Sequence, residues 1–274
     1  MLLIILLLLA GILGGTLAGL LGVGGGVIYT PILFFLYDDA LTNPVPWTVA
    51  SGLFCTFAAS AGSTRKHFAM GNWFLKESLK VGLFGVLGTT IGKYITLSPV
   101  YSREHFVILF SLILFYTAFN FFRGKKKKDP ITQQTQTENL PLKWHHAFFA
   151  GGLGGIVATL AGVGGGIVMV AILTLILGQS FLKSISISSA AIFLISLSAT
   201  VQFMFESPAE AGITGFTVGY VDFGTTLPLI IGAVLGANTG ALIANKINHR
   251  KLELVFATLA LLVGLRLIYD ISGL

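Results

Sequence analysis

The chain has 274 residues, of which 54% are hydrophobic and only 10% charged, with 34 glycines and a mean hydropathy of +0.88. That composition excludes a soluble globular domain. The net charge of +6 and pI near 9.5 do not indicate nucleic acid, because the basic residues cluster beside apolar segments instead of forming a stripe with aromatics.

A bilayer-spanning helix needs about 20 apolar residues, and long apolar stretches run at 1–21, 46–64, 78–97, 104–122, 145–162, 182–205, 223–245 and 252–269. The expected fold class is therefore an all-α polytopic membrane protein of the cytoplasmic (inner) membrane. The residue alternation of a β-barrel strand is absent from these stretches. The opening MLLIILLLLAGILGG lacks a basic leading region and a small-residue cleavage site, so it is expected to be retained.

Residues 19–31 then read GLLGVGGGVIYTP. Each glycine in a helix interior costs about 1 kcal/mol relative to alanine, so Gly22, Gly24, Gly25 and Gly26 predict a break inside the apolar segment. Only about 12 apolar residues follow, enough to cover roughly half of a 30 Å hydrocarbon core. Thr16 and Thr30 flank the break, and Pro31 is placed to hold the short arm. The next helix carries Ser51, Cys55 and Thr56, then the basic Arg65, Lys66 and His67. These three can recruit anions at a cytoplasmic mouth, or simply set orientation. GVLGTTIG at 85–92 places Gly88 and Gly92 at the spacing of close helix packing, with Lys93 near the helix end.

Residues 123–144 form the plainly polar stretch, with four lysines at 125–128 and Pro130 and Pro141 as breakers. It reads as a cytoplasmic linker between a first membrane repeat, 1–122, and a second, 145–274. The second repeat opens with TLAGVGGGIVMVA at 159–171, so GVGGG returns 140 positions on, now as Gly162, Gly164, Gly165 and Gly166. Ser188, Ser189 and Ser196 lie on the helix that follows, and a loop around 206–218 comes next. AVLGANTG at 233–240 matches GVLGTTIG at an offset of 148 and adds Asn238. Self-similar halves of this kind are a mark of transporter folds.

With Arg123–Lys128 fixed inside, the positive-inside rule puts Arg65, Lys66, Lys183, Lys246, Arg250 and Lys251 inside, and Asp38, Glu206, Glu210 and Asp222 outside. Each GVGGG segment is then a helical hairpin, and each half is a hairpin plus three transmembrane helices. The halves are related as inverted repeats. One broken helix per repeat with parallel halves is the alternative. In either case, non-helical backbone at membrane depth is tolerated where it lines a cavity, and first-turn N–H groups with the positive helix end suit an anion. A tight turn or a packing surface is the competing reading.

These features together resemble the TauE/SafE family of sulfite exporters: the two GVGGG segments, the first running into VIYTP, and GYVDF leading into GAVLGANTGALIA. The resemblance covers nearly the whole chain and implies a permease for small sulfur-containing or organic anions. The family often carries a Thr-Ser pair on the helix after each glycine segment. Ala50-Ser51 and Ser188-Ser189 occupy those places here, so the serine is retained and the threonine is not.

The expected substrate-binding set is Gly22, Gly24, Gly25, Gly26, Ser51, Gly162, Gly164, Gly165, Gly166, Ser188, Ser189 and Asn238, with no catalytic residues. His145, His146 and His249 have no Cys or carboxylate at ligand spacing, so no metal and no cofactor is expected. GVGGG without a following Gly-Lys-Ser/Thr is not a nucleotide loop. No carboxylate falls in mid-membrane. The expected partners are the lipid bilayer, a sulfite- or sulfonate-class anion and a second copy of the chain as a homodimer. Another organic anion, an anion channel or a membrane scaffold are the alternatives.

Overall fold

The computed structural model describes residues 2–21, 25–69, 74–123, 142–243 and 249–272. Gly22 and Gly24, and most of the expected linker, lie outside the described residues. The helices in chain order are α1 (Leu2–Leu21), α2 (Gly26–Asp38), α3 (Pro44–Ala69), α4 (Leu75–Thr96), α5 (Arg103–Arg123), α6 (Trp144–Ala161), α7 (Gly166–Ala171), α8 (Phe181–Met204), α9 (Phe223–Ile243) and α10 (His249–Ser272). A π-helical turn, Ile172–Ile176, extends α7. Among the described residues three helices are long and apolar enough to cross a membrane, at 103–123, 183–204 and 254–271.

Both glycine segments reverse the chain. Gly14 of α1 lies against the side chains of Ile28 and Tyr29 on α2, and Gly154 of α6 lies against Met169 on α7. In a continuous helix residues 15 positions apart would be separated by about 22 Å. Contact between them therefore requires each pair to be an antiparallel hairpin with a short second arm. In the second arm the π turn widens the helix, and Leu177 donates to the Ile172 carbonyl at 3.0 Å. Gly178, with φ +61°, ends it.

Each long hairpin arm packs on a helix of the other half. A Cβ on Gly11 or Gly15 of α1 would meet the Leu229 or Ala233 carbonyl of α9, and one on Gly232 or Gly236 would meet the Leu8 or Ile12 carbonyl. The second pair repeats the arrangement. Gly151 and Gly155 of α6 face the Val81 and Gly85 carbonyls of α4, while Gly88 and Gly92 face those of Gly152 and Ile156. Positions advance together along both pairs, so each pair is parallel. Backbones approach this closely only where no side chain intervenes, which accounts for Gly88 and Gly92 as packing residues. α3 and α8 cross at the centre, and α5 packs on α10.

Charged groups sort to opposite ends. At one end, Arg103 donates through Nε and Nη2 to the two Asp38 carboxylate oxygens, each at 2.6 Å. Lys93 pairs there with Glu206, and the 206–222 segment folds over the end of α3. That segment contains a two-residue antiparallel hairpin, β1 (Thr217–Val218) and β2 (Val221–Asp222), which the sequence reading took as plain loop. At the other end Lys183 sits over the Phe74 ring, Lys80 over Trp144, and Ser186 bonds His67.

Glu210 ties the first end together. Its carboxylate accepts from Thr42 N–H and Oγ1 at 3.1 and 2.7 Å, and from Asn43 N–H at 2.9 Å. Partial desolvation pushes its pKa up, but these hydrogen bonds outweigh that and hold the carboxyl below the ordinary range. A lowered folded-state pKa gives stability that is complete above the ordinary value of about 4.3 and is lost as pH falls through the folded value. Acidification is therefore expected to loosen residues 206–216, read as faster amide exchange there below pH 4, with Glu210→Gln showing that exchange already at neutral pH. A pH-independent exchange pattern would contradict the tie.

Candidate functional site

The start of α2 and the second glycine turn meet between α3 and α8. Gly162 and Gly165 both adopt left-handed backbone, with φ +69°, and Gly164 has φ +74°, a region that glycine enters without a Cβ penalty. Gly162 closes α6 by donating to the Ala158 carbonyl at 2.8 Å, and its own carbonyl accepts from Thr30 Oγ1 of α2 at 2.9 Å. A Cβ on Gly26 would lie 2.8 Å from both Thr56 Oγ1 and Val163 Cα. One on Gly52 of α3 would lie 3.0 Å from both the Gly162 carbonyl oxygen and Thr30 Oγ1. The two breaks thus touch through backbone, with α3 wedged against both.

Of the residues expected from sequence, Gly26, Gly162, Gly164, Gly166 and Ser188 converge here. Gly164 faces the Thr56 methyl and Ile192, Gly166 faces Ile192, and Ser188 Oγ reaches the Gly166 carbonyl at 3.4 Å. Gly165 turns away, its open side closed by the Gly154 carbonyl of α6. Gly25 faces the ring of Tyr29 and is right-handed, with φ −60° and ψ −12°. The sequence-equivalent glycines therefore do different jobs. Asn238 lies on α9 with its side chain outside the described residues, as are Gly22 and Gly24.

The serines after each hairpin separate. Ser189 bonds Ser63 of α3 at 2.6 Å, toward the basic end. Ser51 lies toward the acidic end, where Tyr37 donates to its Oγ at 3.0 Å and the Asp222 N–H at 3.2 Å. The Tyr37 hydroxyl also meets Thr225 Oγ1 at 2.6 Å. Thr56 and Ser196 bond the carbonyls of Gly52 and Ile192, one helical turn before each, which is common for hydroxyls in membrane helices. Cys55 is buried in an apolar cluster with Tyr29, Leu33 and Trp47, a packing role.

Three features escaped the sequence reading. Gly52, beside Ser51, provides the gap through which α3 reaches the second turn. Asp222 lies near a helix end, as expected, but is fully buried. It begins α9 as a cap, its carboxylate taking Thr225 N–H at 3.3 Å and Thr214 N–H at 3.2 Å, and the Thr214 hydroxyl as well. An Asp three residues before Thr225 at the start of an apolar run was the available signal. Lys93, near a helix end as expected, is largely buried and paired with Glu206, because the end of α4 is covered by the end of α8.

What this centre offers is helix ends, hydroxyls and glycine backbone between two reversed hairpins. Among the described residues no group of His, Cys, Asp and Glu is arranged to hold a metal ion.

Comparison with known proteins identifies the family. A family profile described as sulfite exporter TauE/SafE matches residues 7–267. A probable membrane transporter protein of Methanocaldococcus jannaschii is 25% identical over 269 residues, covering 97% of this chain and 95% of that protein. The probable membrane transporter protein YunE of Bacillus subtilis is 25% identical over 285 residues, covering 97% of each. A probable membrane transporter protein of Haemophilus influenzae is 26% identical over 273 residues, covering 96% of this chain and 97% of that protein. No solved structure shows a significant match. A profile match over nearly the whole chain, on a helical fold with membrane-length apolar helices, places this protein in the TauE/SafE sulfite-exporter family of membrane transporters, not among enzymes.

Proposed function

We propose that the protein is a secondary transporter or facilitator that moves a small sulfur-containing oxyanion, sulfite or an organosulfonate, across the cytoplasmic membrane. The observation that carries this reading is the meeting of the two glycine segments, Gly26 against Val163 and Thr30 on the Gly162 carbonyl. Backbone that leaves helical geometry at this depth is stable where it is packed in protein or lines a polar path. In the first turn of the 13-residue α2, Ile28 and Tyr29 donate to the Gly25 carbonyl at 3.0 Å each, no side chain caps the helix, and its positive end lies toward the same place.

The exchanged packing of α1 on α9 and α6 on α4 supports inverted repeats of 1–122 and 145–274 joined by a cytoplasmic linker at 123–144. The gathering of Asp38, Glu206, Glu210 and Asp222 at one end supports the topology with that end outside. Transport then proceeds by rocking one exchanged pair against the other about the α3–α8 crossing.

Gly26→Ala tests the site without backbone strain, since Gly26 is an ordinary helical position whose Cβ would press on Thr56 and Val163. In proteoliposomes, labelled sulfite or sulfonate flux by the parent is expected to saturate and to show countertransport. Flux by Gly26→Ala is expected to fall about tenfold while the protein elutes as a folded species. Undiminished flux would return the glycine crossing to a packing role. A parent that carries no anion would reject the transporter reading for this substrate class.

A further inference from the structure

Residues 206–222 cover the acidic end of α3 and tie the second half of the chain to the first. Glu206 pairs with Lys93 of α4. The Glu210 carboxylate takes two N–H groups and a hydroxyl from Thr42 and Asn43, just before α3. Gly212 lies against the Trp47 ring, which a Cβ would approach to 2.7 Å. Other bonds keep the segment with its own half. Tyr220 N–H donates to the Phe203 carbonyl of α8 at 3.2 Å, Phe223 N–H to the Phe216 carbonyl at 2.9 Å, and Thr214 to the Asp222 carboxylate at the start of α9. The Tyr220 ring stands between Trp47 and Phe203, at centroid separations of 5.4 and 6.4 Å.

What lies beneath leads to the glycine crossing. Trp47, Ser51 and Cys55 follow at four-residue steps on one face of α3, and each is 1% exposed or less. Ile213 and Tyr220 pack on the apolar cluster that holds Trp47 and Cys55. Gly52, next to Ser51, is the residue that reaches the second glycine turn.

Two observations distinguish this cover from a fixed cap. Its tie to the first half is at the surface: Thr42, Asn43 and residues 214–216 are exposed, so water can replace the bonds of Glu210 at small net cost. The Trp47 indole N–H below is buried without a hydrogen-bond partner, a loss that water would relieve once the segment lifts. A solvated outer tie over an unsatisfied inner group is the balance expected of an element that opens locally.

We infer that residues 206–222 are a lid over the acidic mouth, carried by the second half, with Glu210 as its latch on Thr42 and Asn43 and Trp47 as its seat. The lid must lift for a solute to reach the glycine crossing from that side. The inference rests on the transporter reading for its purpose, but the opening itself is tested without transport.

Cys55 is the single cysteine of the chain and lies below the seat, so its labelling by a water-soluble methanethiosulfonate in nanodiscs reports opening. Glu210→Gln removes the charge from the latch and is expected to label about tenfold faster than the parent, as the loss of charge-assisted hydrogen bonding would give. Gly212→Ala, whose methyl presses on the Trp47 ring and the Thr217 methyl, should also label faster. A second reporter, Ala257→Cys in a Cys55→Ala background, replaces a fully buried residue of α10. Its labelling rate should be the same with and without Glu210→Gln, since a lid opens locally whereas unfolding raises both. In proteoliposomes, Asn43→Cys with Glu210→Cys, again with Cys55→Ala, should lose anion flux when bridged by a short bis-methanethiosulfonate and regain it on reduction. Unchanged Cys55 labelling in both Glu210→Gln and Gly212→Ala, or Ala257→Cys labelling that rises in step, would overturn the lid. Flux that persists through the bridge would overturn its place on the path. Faster Cys55 labelling in a protein that carries no anion would uphold the lid and reject the transporter reading.

Discussion

Gly165→Ala is expected to destabilise the protein by about 2–5 kcal/mol, whereas Gly25→Ala, its equivalent in the first GVGGG, is expected to cost about 1–3 kcal/mol. At Gly165 two penalties add. The left-handed backbone, φ +69°, costs a non-glycine residue roughly 1–2 kcal/mol, and the new methyl would run into the Gly154 carbonyl, an overpacking worth about 1–3 kcal/mol. That carbonyl belongs to α6, so relief requires the two arms of the hairpin to part. At Gly25 the backbone is already right-handed, so only one penalty applies, the overpacking of the methyl against the buried ring of Tyr29. A loss of chain entropy in the unfolded state offsets part of the remaining cost. Thermal midpoints in one detergent, followed by size-exclusion chromatography after heating, would separate the two variants. Equal midpoints would show that the second turn relaxes to right-handed backbone at small cost. Flux should follow folding at Gly165, in contrast to the loss with retained fold expected for Gly26→Ala.

Glu206→Gln is expected to cost more than Lys93→Met, although both break the same ion pair. The Lys93 side chain is 11% exposed and that of Glu206 34%. Removing the carboxylate strands a cation in a nearly closed site, and breaking a buried pair by deleting one partner costs roughly 3–5 kcal/mol. Part of that is recovered by solvent and by the Tyr94 ring beneath the ammonium, which leaves about 2–3 kcal/mol. Removing the lysine leaves Glu206 partly in water, where the loss approaches that of a surface pair, about 1 kcal/mol or less. The double variant should recover most of the Glu206→Gln loss, because the stranded charge is gone. A double-mutant cycle on thermal or denaturant stability measures the coupling. Equal single costs would mean that Lys93 reaches solvent at the helix end.

Much of the architecture was legible because it follows from local physics. Glycine runs inside apolar segments break helices wherever they occur, and about 12 apolar residues cannot cross a 30 Å core, so the two hairpins were readable from residues 19–37 and 159–177. The spacing of Gly88 and Gly92 announced backbone-to-backbone packing in the same way. Which helix they would meet was not readable. The exchange of α4 onto α6 and α1 onto α9 depends on contacts more than 60 positions apart, which no local period encodes.

The site was legible only in part for the same reason. Composition and the duplicated GVGGG determined a helical membrane protein with two helical hairpins, since bilayer thickness and the cost of glycine act on each segment by itself, while the transporter class followed from the family resemblance. Tertiary packing alone decided that Gly26 touches Val163 while Gly165 touches α6, and that Ser51 serves Tyr37 and Asp222 while Ser189 bonds Ser63. A side chain's partners depend on which face of its helix is covered and by what, and that is fixed when the helices from the two halves interlock.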